Sequence, residues 1–502
     1  MINIGTMLSN RAYLSPNLEA FVGENYRYTF DQANARVNQL ASYLLEQNIK
    51  HGKRLAILCK NNQYFATALF AAAKAGAVAV PLNWRLQARE LAYIINDCGA
   101  SLILYDSEFS PVVDKLRSHI PACLFIRAGG AGPDPEFEDI LAGKSAEEPK
   151  EVMSGDDDTA VIMYTSGTTG KPKGAMLAHS NFFAASIGLS HTIDWRYRDR
   201  FLAVAPFFHI GGLAPLVTNI HKGCTIVFMP NFDPLSAWEV IVKEKINNLM
   251  SVPLMLQAML RVPGVEKLDL GALRTIICGG SPVPDSLIKA YLQMGIKVEQ
   301  VYGITEYSGA VTFWTHDMPP GKSVSMGKPV FHGDIKIINP ENGKELPPGD
   351  IGEILCGGPQ VFKGYWNNRE ATGNAIVDGW YHSGDLGKKD EDGFVYVIDR
   401  LKDMIISGGE NIYSAELEAV INTHPAVAEA AVVGVPDSKW GEIPRAYVVK
   451  KPGLEVSEED IVGICKQNLA SYKCVKEVKF IDALPRNAVG KILKNVLKQQ
   501  SN

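Results

Sequence analysis

Residues 164–174 read YTSGTTGKPKG, a stretch that gathers the hydroxyls of Thr165, Ser166, Thr168 and Thr169, glycines at 167 and 170, and the ammonium groups of Lys171 and Lys173. Glycine lets a chain curl until several backbone N–H groups point at one guest, so this composition describes an anion cradle and suits a polyphosphate. It is not the common nucleotide loop, which needs four residues between its glycines and then Gly-Lys-Ser/Thr opening a helix. Here two residues separate Gly167 from Gly170, and Pro172 follows the lysine. The phosphate binder is therefore of another kind.

Six more polar, glycine-rich stretches interrupt a chain that otherwise reads as core: GGSPVP (279–284), VYGITE (301–306), YHSGDLG (381–387), DRLKD (399–403), SGGEN (407–411) and PRNAVGK (485–491). Each alone has a plain reading, YGITE as a turn, Asp385 as a helix cap and Lys491 as a surface lysine in a basic tail. Together and in this order, beside YTSGTTGKPKG, they resemble the adenylate-forming superfamily of acyl-CoA synthetases, nonribosomal adenylation domains and luciferases. The resemblance runs over essentially the whole chain. TIDWRYRDR (192–200) and DRLKDMIISGGEN are most similar to the compact bacterial long-chain fatty-acid–CoA ligases.

The resemblance implies a role for each stretch. ATP phosphates would lie on Thr165, Ser166, Gly167, Thr168, Thr169, Gly170 and Lys173. Adenine would be enclosed by Gly279, Gly280 and Ser281 and by Tyr302 with Gly303, a flat ring beside flexible backbone. Thr305 would touch phosphate and Glu306 would bind Mg2+, a hard cation that prefers oxygen. Asp385 would accept from both ribose hydroxyls, and Arg400 would reach ribose or phosphate with its fork of donors.

The reaction so implied has two halves: a carboxylate attacks the α-phosphorus of ATP to give acyl-AMP and pyrophosphate, and the thiol of coenzyme A (CoA) then expels AMP. Two anions meet in the first half, so cations matter most there. Lys491 matches the family's adenylation lysine, and His209 in PFFHIGG lies where the family places a side chain near the acyl carboxylate, a buried structural histidine being the bland alternative. Lys402 occupies the hinge about which the family rotates its C-terminal domain between halves, and Gly409 would let pantetheine pass. For the nucleotide end of CoA, Arg85, Trp440, Tyr472 and Lys473 match the family's contacts, whereas Cys474 stands where an arginine is expected, leaving Lys473 or Lys476 to substitute. The acyl pocket is expected between His209, Gly280 and the Tyr307, Ser308 and Gly309 segment, which leads into apolar VTFW. No charged partner for a second polar group stands out, which favours a medium- to long-chain fatty acid; an aryl acid of benzoate or cinnamate type is the alternative. A carrier-dependent adenylation domain and a catalytically dead acyl sensor are weaker readings, since Trp440, Lys491, Glu306 and Asp385 are all present.

The elements that must position these residues alternate. RLAILC is followed by a helical period and then AVAVPL, and LRTIICGG precedes a helix beginning near Pro284. That is the pattern of α/β layers with parallel strands, whose ligands sit at strand ends. YTSGTTG, after the apolar AVIMY, occupies such an end. Around residue 400 the pattern shifts to a helix from Ser414, a hairpin through AVVGVP and RAYVVK, and a helix from Ser457 with a capping box to Asp460. The expected fold is α/β, a large N-terminal domain of stacked α/β layers over 1–399 and a small mobile α+β C-terminal domain over 400–502 that hinges near Lys402. The net charge of −5 from 50 Lys+Arg against 55 Asp+Glu offers no global attraction for nucleic acid. No apolar run has the length of a signal peptide or a membrane span, and the eight cysteines lack zinc spacing. A cytoplasmic protein with reduced thiols is expected, with peripheral membrane contact and homo-oligomerisation left open.

Overall fold

The structure is a computed structural model and describes residues 2–120, 123–150, 154–165, 172–407, 410–486 and 492–499. It packs as two compact units, residues 1–335 with 355–382 and residues 336–354 with 383–502. The second unit begins before residue 400 because strand Trp380–Lys389 pairs with strand Val395–Arg400, setting Asp385 opposite Arg400. Packing groups residues in this way, whereas the pivot expected at Lys402 concerns motion.

The alternating runs build two sheets in the first unit. One has six strands in the order Leu124–Ala128, Leu102–Asp106, Arg54–Leu58, Val78–Pro81, Thr159–Thr165 and Lys173–Ala178. Its strands are parallel up to Thr159–Thr165, and Lys173–Ala178 joins antiparallel. Between two of them runs helix Gln63–Ala75, capped by the Asn62 side chain accepting from Phe65 N–H and ended by Gly76 at φ 73°. All its residues except Tyr64 are buried, including Lys74. The Lys74 ammonium is met by Asn34 Oδ1, Asn38 Oδ1 and the Glu148 carboxylate at 2.6–2.9 Å, and burial still draws its pKa down to about 8.

The other sheet has nine strands, ordered Lys328–Pro329, Gly309–Trp314, Lys297–Ile304, Thr275–Gly279, Asn248–Ser251, Arg200–Ala203, Thr225–Phe228, Glu19–Val22 and Arg27–Thr29. From Lys297–Ile304 to Glu19–Val22 the strands are parallel. The helix expected near Pro284 is Asp285–Gln293, with Pro284 at its N-cap.

In the second unit the expected hairpin is Val427–Asp437 with Gly441–Lys450, extended by Glu477–Phe480 in parallel. Helices Ser414–Ile421 and Glu458–Asn468 bury Leu417, Ile421, Ile461 and Cys465 against Val432 and Val448. The Ser457–Asp460 capping box forms. All eight cysteines are free thiols, and only Cys123 is not fully buried. Among the described residues no helix is long and apolar enough to cross a membrane.

Candidate active site

Thr165 ends one strand and Lys173 begins the next, directly opposite it, so the two ends of YTSGTTGKPKG meet. Ser166, Gly167, Thr168, Thr169, Gly170, Gly409, Lys491 and the side chain of Tyr472 lie outside the described residues. Residues 363–366 run antiparallel along strand Lys173–Ala178 as a strap: Lys363 N–H donates to Met176 O, Met176 N–H to Gly364 O and Trp366 N–H to Gly174 O, at 2.7–3.0 Å. A Cβ at Gly174 would lie 2.6 Å from Ile162 Cγ2 and 3.3 Å from Trp366 Cβ. The glycine of KPKG is thus a packed strand residue that admits the strap.

The strap delivers Tyr365. Its hydroxyl donates to Glu306 Oε1 at 2.9 Å, and the Thr165 hydroxyl donates to the same oxygen at 3.4 Å. Phe362 N–H donates to Glu306 O at 2.9 Å, which ties the carboxylate's own backbone to the strap. Burial, and after it the Glu306 carboxylate, raises the Tyr365 pKa far above the ordinary phenol range, so the hydroxyl stays a donor. The Lys173 ammonium stands 5.3 Å from the Tyr365 ring centroid, within cation–π range. Thr165, Lys173 and Glu306 therefore come together around a tyrosine that sequence reasoning missed. It sits in FKGYW, whose spacing carries no signal of its own. A buried carboxylate flanked by two hydroxyl oxygens is an oxygen donor set of the kind a hard divalent cation takes.

Gly279–Ser281 and Tyr302–Gly303 lie at the carboxyl ends of adjacent parallel strands, Gly279 beside Val301. Glycine is needed there: a Cβ at 279 would lie 2.4 Å from Val301 O, and one at 303 would lie 2.8 Å from Gly309 O. Gly280 has φ 79° and is exposed with Ser281. A single turn, Thr305–Tyr307, then carries Glu306 inward. Tyr307 is wholly buried and its hydroxyl donates to Gly357 O at 2.7 Å. Ser308, left-handed at φ 56°, is also wholly buried and donates to Gln360 O at 3.0 Å. Of these three neighbours Gly309 is the one that a helix packs against, with Ala214 Cβ at 3.3 Å and Ile210 Cγ1 at 4.0 Å from where a Cβ would stand.

Ile210 and Ala214 belong to helix Ile210–Lys222, which begins just after His209. His209 Nε2 is buried without a hydrogen-bond partner among the described residues. Burial, then the nearby Arg85 charge, lowers the His209 pKa to about 4, which leaves a neutral imidazole near neutral pH. The Arg85 guanidinium lies 4.8 Å over the Trp84 ring and 5.8 Å from that of Phe208, and burial lowers its pKa. Arg85 is thus brought beside the His209 segment.

In the second unit Arg400 Nε lies 3.4 Å from Asp385 Oδ1. Ser383 Oγ accepts from Asp385 N–H at 3.0 Å, and Glu353 Oε1 from Gly384 N–H at 3.1 Å, which sets the turn that holds Asp385. Lys402 is exposed in the short turn Leu401–Asp403. Trp440 is 46% exposed at the hairpin tip, where its backbone N–H donates to Asp437 Oδ1 at 2.8 Å. Lys473 holds both oxygens of Glu416 at 2.8–2.9 Å, so an anion would have to compete with that carboxylate. Cys474 is buried with its thiol toward Ala470 O, while Lys476 is exposed.

Residues 8–366 match the family model of the AMP-binding enzyme, and residues 416–491 that of the AMP-binding enzyme C-terminal domain. The chain is 41% identical over 502 residues to the long-chain-fatty-acid–CoA ligase FadD13 of Mycobacterium tuberculosis, covering 100% of this chain and 99% of that protein. Its fold is similar to the solved fatty acyl CoA synthetase of Mycobacterium tuberculosis, with 40% identity, a TM-score of 0.82 and coverage of 99% and 98% of the two chains. It is likewise similar to the o-succinylbenzoate CoA synthetase of Bacillus subtilis solved with its acyl-adenylate OSB-AMP, with 35% identity, a TM-score of 0.88 and the same coverages. Another structure of that enzyme holds ATP and a magnesium ion, at 34% identity, a TM-score of 0.87 and 99% of each chain.

Proposed function

Because this chain belongs to the AMP-binding enzyme family and carries both of its modules, we infer that it is an AMP-forming acid–CoA ligase, and we propose a medium- to long-chain fatty acid as its acid. The observation that carries the chemistry is the meeting of Thr165, Lys173 and Glu306 around Tyr365. The acid is argued from the apolar residues Ile210 and Ala214 that follow His209 on its helix, and from 41% identity over the full chain to a relative named for long-chain fatty acids.

In the first half-reaction Thr165 to Gly170 and Lys173 bind the ATP phosphates. Glu306 would hold Mg2+, which supplies charge neutralisation for the departing pyrophosphate. Tyr365 and Thr165 keep the Glu306 carboxylate oriented. Gly279, Gly280, Ser281, Tyr302 and Gly303 enclose adenine, and Thr305 contacts phosphate. Asp385 accepts from the ribose hydroxyls, with Arg400 beside it. Lys491 bridges the acid's carboxylate and the α-phosphate, and His209 offers its neutral ring to the same carboxylate. The 400–502 domain then pivots at Lys402, and CoA enters past Gly409 with Arg85, Trp440, Tyr472 and Lys473 toward its nucleotide end. Tyr307, Ser308 and Gly280 shape the acyl pocket beside Gly309, the first two from behind through their bonds to Gly357 and Gln360. We place the protein in the cytoplasm.

The aryl-acid reading is favoured by one finding, the likeness to the o-succinylbenzoate CoA synthetase of Bacillus subtilis. AMP release with ATP and Mg2+ across short, medium and long fatty acids, benzoate and cinnamate, each with and without CoA, separates the two. CoA-dependent turnover that rises with chain length is expected. A maximum at the aryl acids would move the protein to the alternative and leave the phosphate assignments in place.

A further inference from the structure

The described residues that flank 487–491 are held within the second unit. On one side Arg486 and Ile492 form an antiparallel bridge, and Leu493 N–H donates to Pro485 O at 2.8 Å. On the other, Lys494 Nζ lies 2.7 Å from Glu418 Oε1 and 2.6 Å from Ser414 Oγ. Ser414 and Glu418 are four apart on helix Ser414–Ile421 and so share one face. Glu418 Oε1 also accepts from Val432 N–H at 2.7 Å. The wholly buried Ser414 hydroxyl passes the contact on by donating to Asp399 Oδ2 at 2.7 Å. Asp399 Oδ2 accepts from Ala415 N–H at 3.2 Å, and Oδ1 from Arg400 N–H at 2.8 Å. One chain of contacts therefore runs from Lys494 to the residue just before Arg400.

We propose that Lys494, Glu418 and Ser414 are positioning residues for the adenylation half-reaction, setting the register of the stretch that carries Lys491. The inference rests on the ligase reading above and on Lys491 as the adenylation lysine. Stability alone does not call for this pair. The Lys494 and Glu418 side chains are 15% and 17% exposed, and an ion pair so withdrawn from water does little better than an apolar pair of the same volume, because desolvation offsets the attraction. A buried ion pair with fixed hydrogen-bond partners can instead serve to specify one register, its best-attested use. Helix Lys494–Gln499 is too short to hold itself. It is fixed at its first residue by this pair and further on by buried Leu497, whose carbonyl accepts from Tyr447 Oη at 2.9 Å. Lys494 lies three residues beyond Lys491 in the chain.

The test uses the full chain and reads the two halves separately: pyrophosphate release with acid and ATP, and thioester formation from supplied acyl-AMP and CoA. Lys494→Met and Glu418→Gln are each expected to slow acyl-AMP formation about tenfold or more, since small misplacements of a positioned group cost that much. Thioester formation should stay within about threefold of the parent, Lys494→Arg should recover most of the loss, and the double variant should be little worse than either single one. Equal losses in both halves, or unchanged adenylation, would overturn the proposal. So would failure of both the methionine and the near-isosteric glutamine variant to fold, which would make the pair a structural requirement. A parent protein that turns over no acid with CoA would instead strike the ligase reading itself.

Discussion

As the proposed magnesium ligand Glu306 needs its carboxylate held, and the Tyr365 hydroxyl donates to it. Replacing that tyrosine by phenylalanine keeps the ring over which Lys173 sits and removes the donor alone. Tyr365→Phe should lower the acyl-AMP rate about tenfold and cost about 1 kcal/mol of stability, the scale of one lost hydrogen bond at an oxygen to which Thr165 still donates. Pyrophosphate release and a urea midpoint check both, and a variant as fast as its parent would remove Tyr365 from the site. Trp440 is the opposite kind of residue: its side chain is exposed and its backbone makes the turn to Asp437. Trp440→Ala should raise the CoA concentration needed in the second half by about tenfold, the scale of one lost aromatic contact, and leave acyl-AMP formation unchanged. Equal loss in both halves would refute a CoA role.

At the scale of elements, the first helix, Ile4–Leu14, docks through Ile4 N–H, which donates to His179 Nδ1 at 3.2 Å. That bond needs an unprotonated nitrogen. His179 is 1% exposed, and burial lowers its pKa to about 4 although Asp158 and Asp156 act in the other direction. Above its unfolded pKa of about 6.5 the group is neutral in both states and stability does not depend on it. As pH falls from about 6.5 toward 4 the unfolded chain takes up a proton that the folded one refuses, so stability drops, by at most about 1.4 kcal/mol per pH unit. Chemical denaturation across that window should show a steeper decline in the parent than in His179→Asn. Parallel slopes would mean that His179 protonates without disturbing the helix.

For the molecule as a whole, two compact units and a two-half reaction invite a division of labour. Thr165, Lys173 and Glu306 belong to the first unit, and Asp385, Arg400, Trp440 and Lys491 to the second. Lys491→Ala should abolish acyl-AMP formation, a loss of about a hundredfold or more for a cation lost where two anions meet. It should spare thioester formation from supplied acyl-AMP, because attack on an existing anhydride does not bring two phosphate and carboxylate anions together. If both halves fail together, the lysine serves the fold or both steps, and the proposed partition is wrong.

Much of this was legible in the sequence by itself because it depends on near neighbours. The Ser457–Asp460 box, the strand-glycine-helix order at LRTIICGG and the hairpin through AVVGVP and RAYVVK rest on contacts a few residues apart or on periodicity along one segment. Motif order was equally readable, since it is a property of the chain and needs no coordinates. What only the tertiary structure decided is which distant partners meet. Tyr365 finds Glu306 across 59 positions, and Lys473 is taken by Glu416 across 57. Gly174 turns out to make room for Trp366, and Tyr307 turns its hydroxyl to Gly357 rather than into open space. No periodicity encodes these pairings: each is fixed by how sheets and straps pack, where a buried donor and acceptor must satisfy each other because water cannot.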